Sequence, residues 1–155
     1  REHYGLTEDA SVLDVGCAKG FMLHDFAEQM PNVTVAGCDI SEYAIDNAIE
    51  TVKPFLKVEN ARDLPYEDDS FDLVISINTI HNLNLEDCKQ AIREIDRVSR
   101  KHAFIVVDAW HNDEERERMQ QWNLTAVTTM HVDDWQKLFQ NVGYSGDYYW
   151  FIATP

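Results

Sequence analysis

The chain is poor in the features that mark secreted, membrane-bound and zinc-binding proteins. Its three cysteines, Cys17, Cys38 and Cys88, are odd in number and lack CxxC spacing, which argues against a disulfide framework and a structural zinc. No apolar run approaches the roughly 20 residues that a membrane helix needs. The polar first residues, 1–4, show no secretory leader. We therefore expect a cytoplasmic protein with no membrane partner and no metal.

Basic residues are scarce as well. The chain has 13 Lys and Arg against 28 Asp and Glu, which gives a formal net charge of −15. Such an acidic surface repels the phosphate backbone of nucleic acids. We therefore expect no nucleic acid as substrate or partner, although the same charge is also what solubility alone would favour.

The 155 residues suit a single domain, and they contain no internal repeat or low-complexity stretch. Short apolar runs alternate instead with segments of helical periodicity. Strands are predicted at 11–17, 33–40, 55–61, 71–78 and 103–109, and helices at 20–30, 41–52 and 86–100. This alternation predicts an α/β fold, a doubly wound Rossmann-like parallel sheet with helices on both faces.

The pattern changes beyond residue 110. A highly charged helix is predicted at 113–121, an amphipathic helix at 131–143, and an aromatic strand segment at 144–152. The stretch 110–130 is longer than an ordinary connection and starts at the ligand-bearing edge of the sheet. We expect it to be a lid over the acceptor side of a pocket. The alternative is a static surface helix with Trp110 and Trp122 in the core.

The exit of the first predicted strand carries a glycine-rich turn, Asp14-Val15-Gly16-Cys17-Ala18-Lys19-Gly20. Glycines there let backbone N–H groups approach a ligand, but such a turn serves NAD, a flavin, a nucleotide or S-adenosylmethionine (SAM) equally well. Two acids narrow the choice. Asp14 precedes the first glycine by two positions, and Asp39 ends the second strand, where a ribose diol would need an acceptor.

Three segments together carry a resemblance to a known family: VLDVGCAKG (12–20), GCDIS (37–41) and NARDLPYEDDSFDLVIS (60–76). In this order and spacing they resemble the class I SAM-dependent methyltransferases, in particular the small-molecule branch. The resemblance covers roughly residues 11–110 and, more loosely, 131–152. It implies SAM as cofactor and methyl transfer to a small-molecule acceptor, without fixing whether O, N, C or S receives the methyl group.

The resemblance also implies roles for individual residues. The loop that holds the methionine part of SAM matches Asp14, Gly16, Cys17, Ala18 and Gly20. The ribose acid matches Asp39, the residue packing on adenine matches Ile40, and the adenine edge matches Asn60 and Ala61. The fourth-strand exit beside the sulfonium matches Ser76 and Asn78. Two positions depart from the family pattern: Ala18 replaces a second glycine, and Asn60 replaces an aspartate, although an amide can still donate and accept at adenine.

The catalytic base is the least determined part of the site, because methyl transfer needs alignment and proton removal rather than a fixed motif. His81, after the fourth strand, and Asp108 and His111, beyond the fifth, are the candidates for a base or a substrate contact; for His81 the alternative is a structural hydrogen bond at a helix start. The exit Asn78-Thr79-Ile80-His81 lacks the double proline typical of methyltransferases that act on exocyclic amines of nucleobases.

Only about ten residues precede the first strand, where many relatives carry one or two capping helices. Within a single domain, 1–155, we interpret 1–10 as the remnant of such a cap, in either a shortened chain or a minimal member capped from elsewhere. Two alternatives stay open: a non-catalytic SAM-binding module that requires a partner and, less favoured, an NAD-dependent oxidoreductase. The assembly we expect is a homodimer.

Overall fold

A parallel sheet of seven strands forms the centre of the structure, a computed structural model that describes residues 4–123 and 125–155. The strands are β1 Ser11–Val15, β2 Thr34–Asp39, β3 Leu56–Val58, β4 Phe71–Ile77, β5 Ser99–Trp110, β6 Met130–His131 and β7 Asp147–Phe151. Their order is β3-β2-β1-β4-β5-β6, and β7 also pairs with β5. All pairings are parallel.

The described part of the chain has five α-helices between its strands: α1 Phe21–Gln29, α2 Glu42–Asp46, α3 Leu85–Val98, α4 Asp113–Trp122 and α5 Val132–Asn141. Short polar side chains begin three of them. The Ser41 hydroxyl accepts from Ala44 N–H, the Asn84 amide oxygen from Asp87 N–H, and the Asn112 amide oxygen from Glu115 N–H. Each of these side chains satisfies one of the backbone donors that a helix start leaves unpaired.

Buried side chains form two apolar clusters. One contains Ile92 and Ile95 of α3 and Trp135 and Phe139 of α5, and the other contains Leu23 of α1. The predicted fold class, a doubly wound parallel sheet, is therefore confirmed. Among the described residues, none of the helices has the length and apolar character that crossing a bilayer takes.

The local differences from the predicted elements have physical reasons. The helix predicted at 41–52 ends at Asp46, because Ile49 N–H donates to Lys19 O at 3.0 Å instead of continuing the helical hydrogen bonds. A 3-10 helix, Lys53–Phe55, follows before β3. Residues Ala48 and Val52 are nevertheless buried. Their apolar spacing therefore indicates packing against the core, although neither residue lies in a helix. The two-residue strand β6 has no counterpart among the predicted elements.

Candidate functional site

A cavity of about 360 Å³ opens at the carboxyl ends of β1, β2 and β4, the edge where open parallel sheets bind ligands. It is lined by Val15, Gly16, Ala18, Cys38, Asp39, Ile40, Glu59, Asn60, Ala61, Ile77, Asn78, Thr79, Asn82 and Leu83. Seven of the residues predicted for the cofactor are among them: Gly16, Ala18, Asp39, Ile40, Asn60, Ala61 and Asn78. The structure thus brings together side chains from four separate segments of the sequence.

The turn between β1 and α1 forms one wall and needs glycine at two positions. Gly16 and Gly20 adopt φ of 85° and 83°, in the left-handed region that side chains disfavour. A methyl group at Gly16 would overlap the Thr79 side chain, and one at Gly20 would come within 2.7 Å of Val52 Cγ2. These glycines therefore let the turn pack against β4 and the segment before β3.

Asp39 holds this turn to the end of β2. Its Oδ2 accepts from Ala18 N–H and its Oδ1 from Ser41 N–H, both at 2.9 Å. Ala18 itself has φ of 49°, a strained value for a residue with a side chain. Each carboxylate oxygen keeps a further lone pair, so Asp39 can organise the loop and still accept from a ligand hydroxyl.

Asp14 lies one residue behind the cavity wall, since the next two residues, Val15 and Gly16, line it. The side chain is 6% exposed, and no described residue donates a hydrogen bond to it. Burial, helped by the charge of Asp39, raises the pKa of Asp14 to about 7. A buried carboxyl group without a donor is costly, and a cationic ligand group nearby would offset that cost.

The opposite wall is suited to a flat ring. Ile40 is 69% exposed although apolar, so it offers an uncovered surface for packing. Asn60 Oδ1 accepts from Arg62 N–H at 3.1 Å, which leaves its NH2 group without an acceptor among the described residues. Glu59 also lines the cavity and donates its N–H to Asp39 O at 3.1 Å; no sequence motif singled it out.

The segment that carries this wall is fastened to α3. Glu94 accepts from Leu64 N–H at 3.0 Å, and the Arg97 guanidinium donates to Leu64 O at 3.0 Å and to Tyr66 O at 2.8 Å. The hydrogen bond from Arg97 lowers the pKa of Glu94. An ionised Glu94 therefore keeps this segment in place.

The exit of β4 contributes Asn78, which lines the cavity with φ of 54° and donates its N–H to Val106 O at 2.9 Å. Ser76 does not line the cavity. It is fully buried, and its hydroxyl has no partner in the described part of the chain. Side chains alternate between the faces of a strand, and the neighbouring Ile77 is the one that reaches the cavity.

Two further residues predicted for the cofactor loop also lie outside the lining. Cys17 is buried beneath the turn, where burial raises the pKa of its thiol. Gly20 is the N-cap of α1 and packs against Val52. Both shape the turn from behind rather than facing the cavity.

The two histidines predicted as catalytic lie outside the cavity. His81 is 1% exposed; its Nδ1 accepts from Asp108 N–H at 3.3 Å, and its Nε2 lies 3.3 Å from Asn123 Nδ2. Burial lowers the pKa of His81, although the Asp108 carboxylate acts in the opposite direction. His111 is exposed and pairs with Glu115 at 2.9 Å. The buried, hydrogen-bonded position of His81 is the one expected of a structural histidine. His111 lies next to the start of α4.

The segment after α4 is hydrogen-bonded to the 3-10 helix Ile80–Asn82. Val127 N–H and Thr128 N–H both donate to His81 O at 2.9 Å, and the Thr128 hydroxyl donates to Leu83 O at 2.6 Å. Trp122 is 63% exposed. It therefore does not lie in the core, as it would if 110–130 were a static surface helix with both of its tryptophans buried. This arrangement connects the stretch predicted as a lid to residues that line the cavity.

The charge of the lining is one-sided. Asp39 and Glu59 are acidic, and within the described ranges no Lys or Arg contributes to it. A wall of this kind attracts cations and repels phosphate groups. The cavity therefore suits SAM better than the diphosphate of NAD.

Comparison with known proteins agrees with this geometry. The family model of the methyltransferase domain matches residues 6–146. The chain is 30% identical to an Arabidopsis thaliana tRNA (carboxymethyluridine(34)-5-O)-methyltransferase, over 84% of this chain and 31% of that protein.

Solved structures share the fold. The YcgJ protein of Bacillus subtilis superposes with a TM-score of 0.73 at 22% identity, covering 91% of this chain and 64% of that one. The PKMT2 protein of Rickettsia typhi, solved in complex with AdoHcy, gives a TM-score of 0.56 at 26% identity, over 63% of this chain and 20% of that one. The chain spans less than two thirds of each of these relatives.

Proposed function

This chain belongs to the class I SAM-dependent methyltransferase family, and from that premise we propose that it transfers a methyl group from SAM to a small-molecule acceptor. The observation that carries the proposal is the cavity at the carboxyl ends of β1, β2 and β4, whose lining includes the turn at Gly16 and the carboxylate of Asp39. When bound, SAM supplies an electrophilic methyl group on its sulfonium. The chain supplies binding and alignment.

The lining residues divide the work of binding. Asp39 accepts from the ribose hydroxyls, Ile40 packs on the adenine, and Asn60 and Ala61 meet its edge. The Gly16 turn and Asn78 face the methionine end. This assignment agrees with the free lone pairs of Asp39 and the exposed apolar surface of Ile40.

Asp14 adds a charge argument. Its carboxyl group has no donor from the described residues, and burial raises its pKa to about 7. The ammonium group of the methionine part would favour the ionised form. A cofactor with two positive centres therefore fits this end of the cavity.

A second candidate is a SAM-binding module that a partner completes. The observation that favours it is that His81 and His111 both lie outside the cavity, so neither histidine is available there as a base.

The Arabidopsis relative acts on tRNA, according to its name. For this chain we favour a small molecule, because its net charge of −15 opposes binding to phosphates.

Calorimetric titration with SAM, its demethylated product and NAD tests the proposal. We expect the first two to bind and NAD to give no heat. A Gly16→Val variant is the matched control, since its side chain would fill the space next to Thr79 and should abolish binding. NAD binding without SAM binding would overturn the assignment. An intact-mass screen of acceptors, with and without SAM, then separates the enzyme from the non-catalytic module.

A further inference from the structure

A second, smaller cavity lies at the carboxyl end of β5. It has a volume of about 130 Å³ and is lined by Asp108, Trp110, Met119, Gln120, Asn123, Ala126 and Thr129. These residues come from β5, α4 and the segment after α4. The described lining combines one carboxylate with an aromatic ring, a thioether and two amides.

Asp108 is the feature of this cavity that calls for a ligand. The residue is 3% exposed, and its Oδ2 accepts from Asn123 Nδ2 at 2.5 Å. Its Oδ1 has no donor among the described residues, and no described Lys or Arg pairs with it. Trp135 Nε1 donates to the backbone oxygen of Asp108 at 3.1 Å, which fixes the backbone but adds no donor to the carboxylate, so Asn123 is its one hydrogen-bond donor among the described residues.

His81 does not supply the missing charge. Its Nδ1 accepts from Asp108 N–H at 3.3 Å, and its Nε2 lies 3.8 Å from Asp108 Oδ2, beyond hydrogen-bond distance. Burial lowers the pKa of His81, which keeps the ring neutral. A buried carboxylate next to a neutral ring still needs a cation.

We propose that this cavity binds the ammonium group of an amine-bearing acceptor, with Asp108 as its counter-ion. The inference rests on the proposed methyl transfer. A compact cation would pair with Asp108 Oδ1 and lie beside Trp110 and Met119. The Arg116 guanidinium already covers one face of the Trp110 ring at 5.6 Å, and Ala153 N–H donates to the Met119 sulfur at 3.0 Å, so the attraction for the cation comes from Asp108. The volume is below the roughly 300–1,000 Å³ that encloses a whole ligand, so the cavity takes one substituent of the acceptor.

The position suits an acceptor site. Strand order puts β5 beside β4, and the exit of β4 lines the cofactor cavity. His81 contacts Asp108 and Asn123 with its ring, while the next residues, Asn82 and Leu83, line the cofactor cavity. A molecule held at Asp108 can therefore extend along the ends of these strands toward the methyl donor.

Three isosteric probes test the inference on the wild-type chain: propylammonium, 1-propanol and propionate. The reporter is the 13C-labelled methyl group of Met119, followed by NMR. We expect saturable shifts with propylammonium and none of comparable affinity with the other two. An equal response to propanol would overturn the proposal, because the site would then be apolar rather than cationic.

Two variants sharpen the test. Asp108→Asn should weaken propylammonium binding at least tenfold, whereas Asp113→Asn, on the exposed start of α4, should leave it unchanged. SAM titration of both variants shows that the cofactor cavity is intact. An unchanged affinity in a folded Asp108→Asn chain would contradict the proposal; if this variant does not fold, the three-probe comparison decides. Failure of SAM to bind the wild type would contradict the proposed function, and saturable propylammonium binding would still support the cation site.

Discussion

Asp14 is the residue whose ionisation should couple most strongly to ligand binding. Its pKa is raised to about 7 by burial and by Asp39, so in the free protein the neutral form is favoured only below about pH 7. Burial of the neutral Asp14 carboxyl group contributes to the free energy of unfolding in acid, and this contribution is lost as the pH rises from about 4 to about 7. A cationic ligand has the opposite preference, so SAM affinity should rise as the pH passes through 7.

We predict that Asp14→Asn removes this pH dependence. At about pH 8 the free variant should be more stable than the parent, on the order of 1–3 kcal/mol, because an unpaired buried charge is gone. Its SAM affinity should be lower at the same pH and nearly constant between about pH 6 and pH 8. Denaturant unfolding and calorimetry measure both effects, with the exposed Asp25→Asn of α1 as control. A parent whose SAM affinity is flat across this range would contradict the prediction.

Asp39 combines two tasks, and its replacement should show both. Asp39→Ala should weaken SAM binding about 10- to 100-fold, the range for losing a charged hydrogen bond. It should also destabilise the free chain by about 1 kcal/mol, since Ala18 N–H and Ser41 N–H lose their acceptor. Asp46→Ala, at the end of α2, is the control. SAM affinity within twofold of the parent would show that Asp39 is not the ribose acceptor.

At the scale of elements, the turn between β1 and α1 carries a strained residue. Ala18 has φ of 49°, which costs roughly 1–2 kcal/mol for a residue with a β-carbon. Ala18→Gly should relieve this strain and stabilise the chain by about 0.5–1 kcal/mol, after the entropy cost of glycine in the unfolded state. Thermal unfolding tests it against Ala27→Gly inside α1, which should destabilise by about 1 kcal/mol. A lower melting temperature for Ala18→Gly would be inconsistent with strain at this position.

The stretch 110–130 stays a predicted lid. Its part after α4 is bonded to His81 and Leu83, close to the cofactor cavity. We expect Val127 and Thr128 amides to exchange faster than those of β4 in the free protein and to slow when SAM and an acceptor are bound. Hydrogen exchange resolved by mass spectrometry measures this. Slow exchange in the free protein, unchanged by ligands, would favour a static element.

The strongly patterned elements are predictable from the sequence, and the reason is local. The helices α3 and α5 have apolar positions on one face and clear starts, so their bounds differ by only one or two residues from the prediction. The resemblance to the family assigns Ser76 to the cofactor, but a motif match does not reveal the face of a strand on which a side chain lies. Side chains alternate along β4, so Ser76 is buried on the other face from Ile77, which lines the cavity.

Contacts between segments that are far apart in the chain cannot be predicted from the sequence patterns. The ring of His81 meets Asp108 and Asn123 only after β4, β5 and α4 have packed. The entry of Glu59 into the cavity likewise depends on where the short strand β3 ends. Motif positions on β1 and β2 are different, because a glycine turn and a strand-end acid act close to their own place in the chain.

The net charge governs behaviour at the scale of the whole molecule. With a formal net charge of −15 on 155 residues, we predict no nucleic-acid binding at micromolar concentrations, even at low salt, because each phosphate approached adds repulsion. Filter binding to tRNA and to single-stranded DNA, with a basic RNA-binding protein as positive control, measures it. Micromolar affinity in low salt would contradict the prediction and bring this chain closer to its tRNA-modifying relative.

The contact between Gly16 and Thr79 has a consequence for how this protein can be varied. Residues 63 positions apart in the chain occupy one shared space, and the backbone at Gly16 adds its own restriction through its φ of 85°. A library that randomises position 79 should tolerate smaller residues, whereas one that randomises position 16 should return glycine. Other residues at position 16 could be recovered only from a library that also varies position 79 and relaxes the backbone of the turn. A smaller residue at position 79 must therefore come before any substitution of Gly16.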